Sequence, residues 1–388
     1  MDRMFPEDSL RESQLRAAEA ARSVTGAFGG RLCGLPGTHL AAVESPVSAR
    51  RFRRRPWHYW WQAHYLDLLV DAGLRGDAAA PGDAGRLVRS IRLRNGLRYT
   101  NWFFDDMAWL ALAIGRLDAL AAVRPTEPET GRRATIRAAG LLPERFGPHR
   151  RFTAALARAL RSAHTPELGG GIYWTRKRDF KNAPATGPAA LFFARTGERE
   201  RAQELINWLN RTLLDPESGL YLDGLKAPVR RRGGPEAPRL ERAVYTYNQG
   251  PALGALLELG GAENLDRAAA LTTAVAERLT HPGGSVLLTH GTGDAGLFTG
   301  ILCRYLAQAA ATPALPPEQR RTAAALVSAT ANALWEGRTK RGGGTVFSPH
   351  PLEPAEAHYP AGAAVGLSTQ LQAWMILEAA VRVQREFS

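Results

Sequence analysis

The sequence predicts an all-α protein, an (α/α)6 barrel of six helical hairpins with short strands in the connecting loops. Three observations carry this. Helical apolar patterns recur along the whole 388-residue chain. Glycine-rich breaks interrupt them at an irregular spacing that averages about 60 residues, the length of a helical hairpin repeat. No polar linker and no shift of composition divides the chain, so residues 1–388 are expected to form a single domain. An open superhelix of helix pairs is the alternative architecture.

In chain order, the periodicity predicts helices over 9–26, 57–74, 83–94, 103–122, 150–164, 182–196, 199–213, 246–259, 263–280, 295–311, 317–336 and 363–386. Asp215-Pro216 closes one, Pro316-Pro317 opens another, and Thr292-Gly293-Asp294 can cap a third. Breaks at Gly29-Gly30, Gly96, Gly169-Gly170-Gly171, Gly219, Gly283-Gly284 and Gly342-Gly343-Gly344 each fall between an odd helix and the even helix after it. Four are followed by GIYW, GLYL, SVLL and TVFS, which read as short strands.

Odd and even helices differ. Helix 199–213 places Leu205, Trp208 and Leu209 on one face and leaves the other solvated. The even helices open with WHYWWQAHY, WFFDDMAW, FKNAPATGPA, YTYNQGPALG, DAGLFTGI and AAVGLSTQ, which combine small residues with polar or aromatic ones. Glycine inside a helix costs about 1 kcal/mol relative to alanine. Its repeated use implies close packing, as an inner ring needs. Inner helices pointing one way bring their N-termini, and these polar groups, to one cleft.

Within that cleft the segment NWFFDDMAW is the chemical focus. Asp105 and Asp106 are adjacent acids bracketed by Trp102, Phe103, Phe104 and Trp109. Adjacent helical residues point about 100° apart, so both carboxyls reach one cleft only near a helix end. The helix dipole there favours a charged carboxylate, while crowding and aromatic desolvation raise the other's proton affinity. Two carboxyls with separated pKa values are what glycoside cleavage requires. Adjacent positions favour the short separation of retaining enzymes, roughly 5 Å. The plainer reading is an N-capping aspartate with a solvated neighbour.

Aromatic and amide residues fit the same chemistry. Sugar C–H faces stack on rings, and sugar hydroxyls need hydrogen-bonding partners. Trp60, Trp109, Trp174 and Tyr247 are candidate substrate-binding aromatics; Asn182, Asn248 and Gln249 are candidate hydroxyl binders. Asp179, Asp223 and Asp294 have no carboxylate beside them; Asp179 is expected to pair with its basic neighbours, Asp223 lies in a Gly-rich turn and Asp294 reads as a cap. No zinc-protease, phosphate-loop or nucleophile-elbow motif occurs.

The bulk numbers bound the partners. Fifty Lys and Arg against 37 Asp and Glu give a formal net charge of +13, yet only four basic residues are lysines. The arginine clusters within 50–55 and 230–232 read as solvated or salt-bridged, or else as contacts to an anionic partner such as a phosphorylated glycolipid. Nucleic acid is not expected, because charge alone points to it. No apolar run approaches the roughly 18 residues that span a bilayer. The N-terminus MDRMFPEDSLRESQ lacks a secretory pattern, so a cytoplasmic location is expected. Cys33 and Cys303 read as two lone buried thiols, and no metal or cofactor is expected.

Four stretches in order resemble glycoside hydrolase family 76, the endo-α-1,6-mannanases. WFFDDMAWLALA is similar to the family's aromatic-Asp-Asp-x-x-Trp motif. GGGIYWTRKRDFKN is similar to its glycine-rich stretch with a following Lys-Asn, and VYTYNQGPALG to its Thr-Tyr-Asn-Gln-Gly helix opening. GLFTGILCRYL is similar to a later segment, with Thr299 where a lysine is common. The resemblance implies an (α/α)6 barrel, retention, and an α-mannan or mannose-containing oligosaccharide or glycolipid as substrate. It implies Asp105 as nucleophile and Asp106 as general acid/base. Asn182, Tyr247, Asn248 and Gln249 fall in matching motifs as subsite residues; family members are often exported, whereas this chain shows no signal. Two other classes stay open: a sugar epimerase, which needs paired histidines in the cleft, and a non-catalytic mannan- or glycolipid-binding protein.

Overall fold

The computed structural model describes residues 7–47, 56–122, 148–228, 230–231, 234–235 and 237–387. The arginine cluster within 50–55 lies outside them. Of the second cluster, Arg230–Arg231 pairs as a short strand with Gly234–Pro235, and Arg232 lies outside.

The long helices stand where the apolar periodicity places them. They are α1 (Glu7–Phe28), α2 (Tyr59–Arg75), α3 (Ala80–Arg94), α4 (Phe104–Ala122), α5 (Arg150–Ala163), α6 (Ala183–Arg195), α7 (Arg199–Thr212), α8 (Thr246–Leu259), α9 (Ala262–Arg278), α10 (Phe298–Ala310), α11 (Pro317–Glu336) and α12 (Leu367–Phe387). A single-turn helix, Ala355–His358, precedes α12.

Contacts between helices close a ring. α2 packs on α4, α4 on α6, α6 on α8, α8 on α10, α10 on α12, and α12 returns to α2. The odd helices lie outside, each against its hairpin partner, with α1 on α12 and α11 bridging to both α10 and α12. Closure excludes an open superhelix, in which the first and last inner helices never meet. The inner helices are buried nearly all round, as residues 107–114 of α4 show, whereas α7 buries only Ala202, Leu205, Ile206, Trp208 and Leu209. Glycine permits the inner spacing. A Cβ on Gly254 of α8 would lie 2.5 Å from the Tyr305 ring of α10, and one on Gly300 of α10 would lie 3.0 Å from Gln372 of α12.

The loops depart from expectation in definite ways. Of the four predicted extended stretches, only the one near Thr345 pairs as a strand, Gly344–Val346 with Thr339–Arg341. Ile172, Tyr173, Tyr221 and Leu287 each contribute a single bridge. The principal sheet is instead three-stranded, Phe180–Asn182, Gly224–Lys226 and Arg239–Glu241. Residues 293–297 form a 3-10 turn before α10, and α12 starts at Leu367 because Val365–Gly366 pairs with Glu44–Ser45. Cys303 is buried, but Cys33 is exposed, at a positive φ of 51°.

From their middle turns to their C-terminal ends, the inner helices carry charges that fill the ring. Arg304 of α10 reaches Asp67 at 3.1 Å and Asp71 at 2.6 Å on α2, and Arg116 of α4 pairs with the same two acids. Arg75 of α2 pairs with Glu378 of α12 at 3.1 Å. The shared acids and arginines leave neither sign uncompensated.

Candidate active site

The opposite end of the ring gathers the helix N-termini. Asp105 and Asp106 occupy the first turn of α4, with Asp106 buried and Asp105 half-buried. The glycine-rich loop after α5 is laced to that turn. The Phe104 N–H donates to Trp174 O at 2.7 Å, the Arg176 N–H donates to Trp102 O at 3.1 Å, and Phe103 bridges Thr175. The lacing brings the Trp174 indole N–H to Asp105 Oδ2 at 3.0 Å. The other oxygen, Asp105 Oδ1, accepts the Asp106 backbone N–H at 2.9 Å. The Asn101 side-chain amide donates to Asp106 Oδ2.

Two features fix the loop that carries Trp174. Gly170 and Gly171 have φ of 122° and 76°, and a Cβ on Gly171 would lie 2.6 Å from the Trp208 ring of α7. Lys181 is fully buried, and its ammonium donates to Thr165 O, Thr165 Oγ1, Glu167 O and Gly170 O at 2.7–3.0 Å. Burial pulls that ammonium down to about 8.

Both catalytic candidates hold protons strongly. Burial pushes Asp105 up to about 7, against the pull of the Asp106 N–H and the Trp174 indole; the charge of Asp294 adds to the rise. Burial also raises Asp106 well above the carboxylate range, followed by the charges of Asp105 and Asp294, with the Asn101 amide opposing. The helix dipole favours an ionised carboxylate at this turn, but burial outweighs it.

Aromatic side chains wall the acids. Trp174 is 38% exposed, beside Phe103 (centroids 5.4 Å apart), and Trp102 is 55% exposed at the rim. Across the cleft, Tyr247 of α8 stacks on Phe298 of α10 with centroids 3.7 Å apart and rings parallel to 1°. Trp60 of α2 lies 6.4 Å from Phe298. Trp109 is buried and packs against the His64 ring at 4.9 Å, so it belongs to the packing under the acids.

The predicted amide residues divide. Asn248 is fully buried, and neither atom of its side-chain amide completes a hydrogen bond. Asn182 caps α6, its Oδ1 accepting the Ala185 N–H at 3.2 Å. Gln249 is consumed by backbone: Oε1 accepts from Tyr221 N–H, and Nε2 donates to Tyr221 O and Tyr245 O. Gln249 is therefore a support of the cleft wall, a correction to its expected hydroxyl-binding role, while Asn182 spends its Oδ1 on the cap. Thr299 is likewise buried, bonded to Leu288 O at 2.7 Å.

Two acids set aside in the sequence enter the cleft. Asp294 does not cap its turn; its Oδ1 accepts the indole N–H groups of Trp60 and Trp61 at 3.1 and 2.9 Å. Asp223 is pushed up to about 6 by burial, with Asn248 near enough to oppose the rise. Its charge, after burial, also helps to raise the Tyr247 hydroxyl, so loop and α8 face one space. Neither acid has a local sequence signature; their place comes from the ring closing. Asp179 pairs with Lys177 at 2.7 Å, as expected. The histidines form no pair in the cleft: burial lowers His64 to about 3, His290 accepts the Thr246 N–H, and His350 lies beside His358. No group of three or more metal-ligating side chains occurs among the described residues.

Comparison with known proteins accords with this geometry. Residues 153–385, over half the chain, match the model of glycosyl hydrolase family 76. The structure is similar to an inactive variant of the α-1,6-mannanase of Salegentibacter sp. HEL1_6, with two consecutive aspartates replaced by asparagine, in complex with α-1,6-mannotriose; identity is 28%, coverage 95% of this chain and 99% of that one, and the TM-score 0.75. A Listeria innocua protein shares the fold at 24% identity and TM-score 0.73, covering 96% of this chain and 98% of that one. A family 76 mannosidase of Bacteroides thetaiotaomicron shares it at 16% and 0.70, covering 97% and 99%. No curated protein matches the chain.

Proposed function

The chain belongs to glycosyl hydrolase family 76 and is a glycosidase, and from that premise we propose that it cleaves α-1,6-linked mannosides with retention through Asp105 and Asp106. The observation that carries this reading is the acid pair itself. Two adjacent carboxyls share the first turn of α4; Asp105 accepts two N–H donors, from Asp106 and Trp174, which favour its ionised form, whereas Asp106 is buried and accepts one side-chain amide. On this reading the reactive pair shares one proton, which Asp106 carries. Asp105 then attacks the anomeric carbon and forms an ester to the sugar. Asp106 passes its proton to the departing glycosidic oxygen. In the second step Asp106 takes a proton from water, the water oxygen attacks the anomeric carbon, and Asp105 leaves as carboxylate.

The substrate reading rests on the walls and on the relatives. Trp60, Trp174 and the Tyr247–Phe298 stack offer ring faces to a sugar. The Salegentibacter enzyme with 28% identity is an α-1,6-mannanase seen with mannotriose. The closure of α12 on α2 supports one domain built from the whole chain. Incubation with α-1,6-mannotetraose, followed by product sizing and NMR of the newly formed reducing end, tests the proposal. An α-anomer formed first is the expected result; a β-anomer formed first, or no turnover, overturns it.

A further inference from the structure

We propose that Asp294 is a positioning residue of this cleft: one carboxylate oxygen clamps the indoles of Trp60 and Trp61 while its charge faces the Asp105–Asp106 pair. The inference rests on the glycosidase reading above but concerns a residue outside the acid pair.

The clamp is unusual in its sharing. Trp60 and Trp61 are consecutive on α2, so their side chains leave the helix about 100° apart. Both indole N–H groups nevertheless converge on Asp294 Oδ1, at 3.1 and 2.9 Å. Asp294 sits in the 3-10 turn Gly293–Leu297 that leads into α10. The bond therefore ties the first turn of α2 to the entry of α10, two helices that do not pack on each other as neighbours in the ring. It also sets the plane of Trp60, whose ring meets His64 edge-on at 5.6 Å and Phe298 at 6.4 Å. A sugar-stacking ring must be held at a fixed tilt, and a charge-assisted bond at its N–H does this.

The same carboxylate acts on the acids through space. Facing Asp294 are Trp60 and Trp61 from α2, Asp105 and Asp106 from α4, and Tyr247 from α8. α12 presents the neutral Ser368 and Thr369 to the same turn. Its charge adds to the proton affinity of both Asp105 and Asp106. Loss of that charge lowers both affinities, so the alkaline limb of kcat/KM, where Asp106 loses its proton, moves to lower pH.

The wild type, Asp294→Asn and Asp294→Leu are compared on α-1,6-mannotetraose across the neutral pH range, with near-UV circular dichroism of the tryptophans. Asparagine keeps an acceptor for the indoles but carries no charge; leucine keeps neither. Asp294→Asn is expected to retain the tryptophan spectrum and KM while its alkaline limb falls by roughly half a pH unit or more. Asp294→Leu is expected to show the same limb shift, an altered tryptophan spectrum and a roughly tenfold higher KM. Two variants that lose thermal stability but keep the wild-type pH profile and KM would overturn the proposal. A wild type that leaves mannotetraose intact refutes the functional reading instead, and the Asp294→Leu spectrum still decides the clamp.

Discussion

Trp174→Phe isolates the contribution of one hydrogen bond to the chemistry. The substitution keeps an aromatic ring beside Phe103 and removes the N–H that donates to Asp105 Oδ2 at 3.0 Å. A hydrogen bond to a charged group contributes about 1.5–3 kcal/mol. Trp174 is 38% exposed, so water competes for the same oxygen and the lower end, about 1.5 kcal/mol, applies. At 1.36 kcal/mol per pKa unit this is about one unit. The sign follows from the donor stabilising the ionised carboxylate: without it, Asp105 rises from about 7 toward roughly 8. Attack requires ionised Asp105, so the acid limb of kcat/KM moves up by about one pH unit and activity falls about tenfold on that limb. Above both values the variant approaches the wild type. Steady-state kinetics on α-1,6-mannotetraose across pH measures this directly. An unmoved acid limb, or a shift confined to the alkaline limb, refutes the assignment of Asp105 as the group that must ionise.

Asp105→Asn should lower kcat by at least about a thousandfold while leaving the far-UV spectrum unchanged; activity near that of the wild type contradicts its role. The same replacement, alone or with Asp106→Asn, should stabilise the protein at alkaline pH. Both acids bind protons more tightly folded than unfolded, so wild-type stability falls as pH rises from the unfolded value near 3.9 through the folded values and then levels off. The variants lack this loss: melting temperatures should match the wild type near pH 4 and exceed it by about 2 °C or more near pH 8. Gly171→Ala forces a Cβ to within 2.6 Å of the Trp208 ring at a φ of 76°. It should cost about 2–4 kcal/mol in urea unfolding and reduce kcat/KM by displacing Trp174; a neutral effect on both contradicts the role given to the loop.

Much of the fold was legible because its signals are periodic. Apolar spacing and proline or glycine punctuation locate α8 at Thr246–Leu259 and α11 at Pro317–Glu336, and glycines such as Gly254 announce the inner ring. The Asp105–Asp106 pair stood out because aromatics surround it. What stayed hidden depends on distance in sequence. Asp294 looks like a cap until α10 is brought to α2, and Asp223 looks like a turn residue until its loop meets Asn248. Gln249 and Asn182 look like free amides until the backbone groups they bind are in place. The extended stretches were read from β-prone residues, but loop backbones between helices satisfy themselves with single bridges.

The acid pair shows which of two opposing effects governs the cleft. Parallel inner helices aim positive dipole ends at the side that holds Asp105 and Asp106. A dipole contributes about 0.3–1 kcal/mol, rising to about 2 in partly buried geometry. That is at most about one and a half pKa units. Asp105 nevertheless stands about three units above its ordinary 3.8, at about 7, after the dipole's own N–H groups have acted. Removal from water therefore exceeds the dipole by a factor of two or more. Ordered this way, the ring supplies the geometry and burial supplies the proton affinity, which an acid must have to give a proton to a leaving sugar.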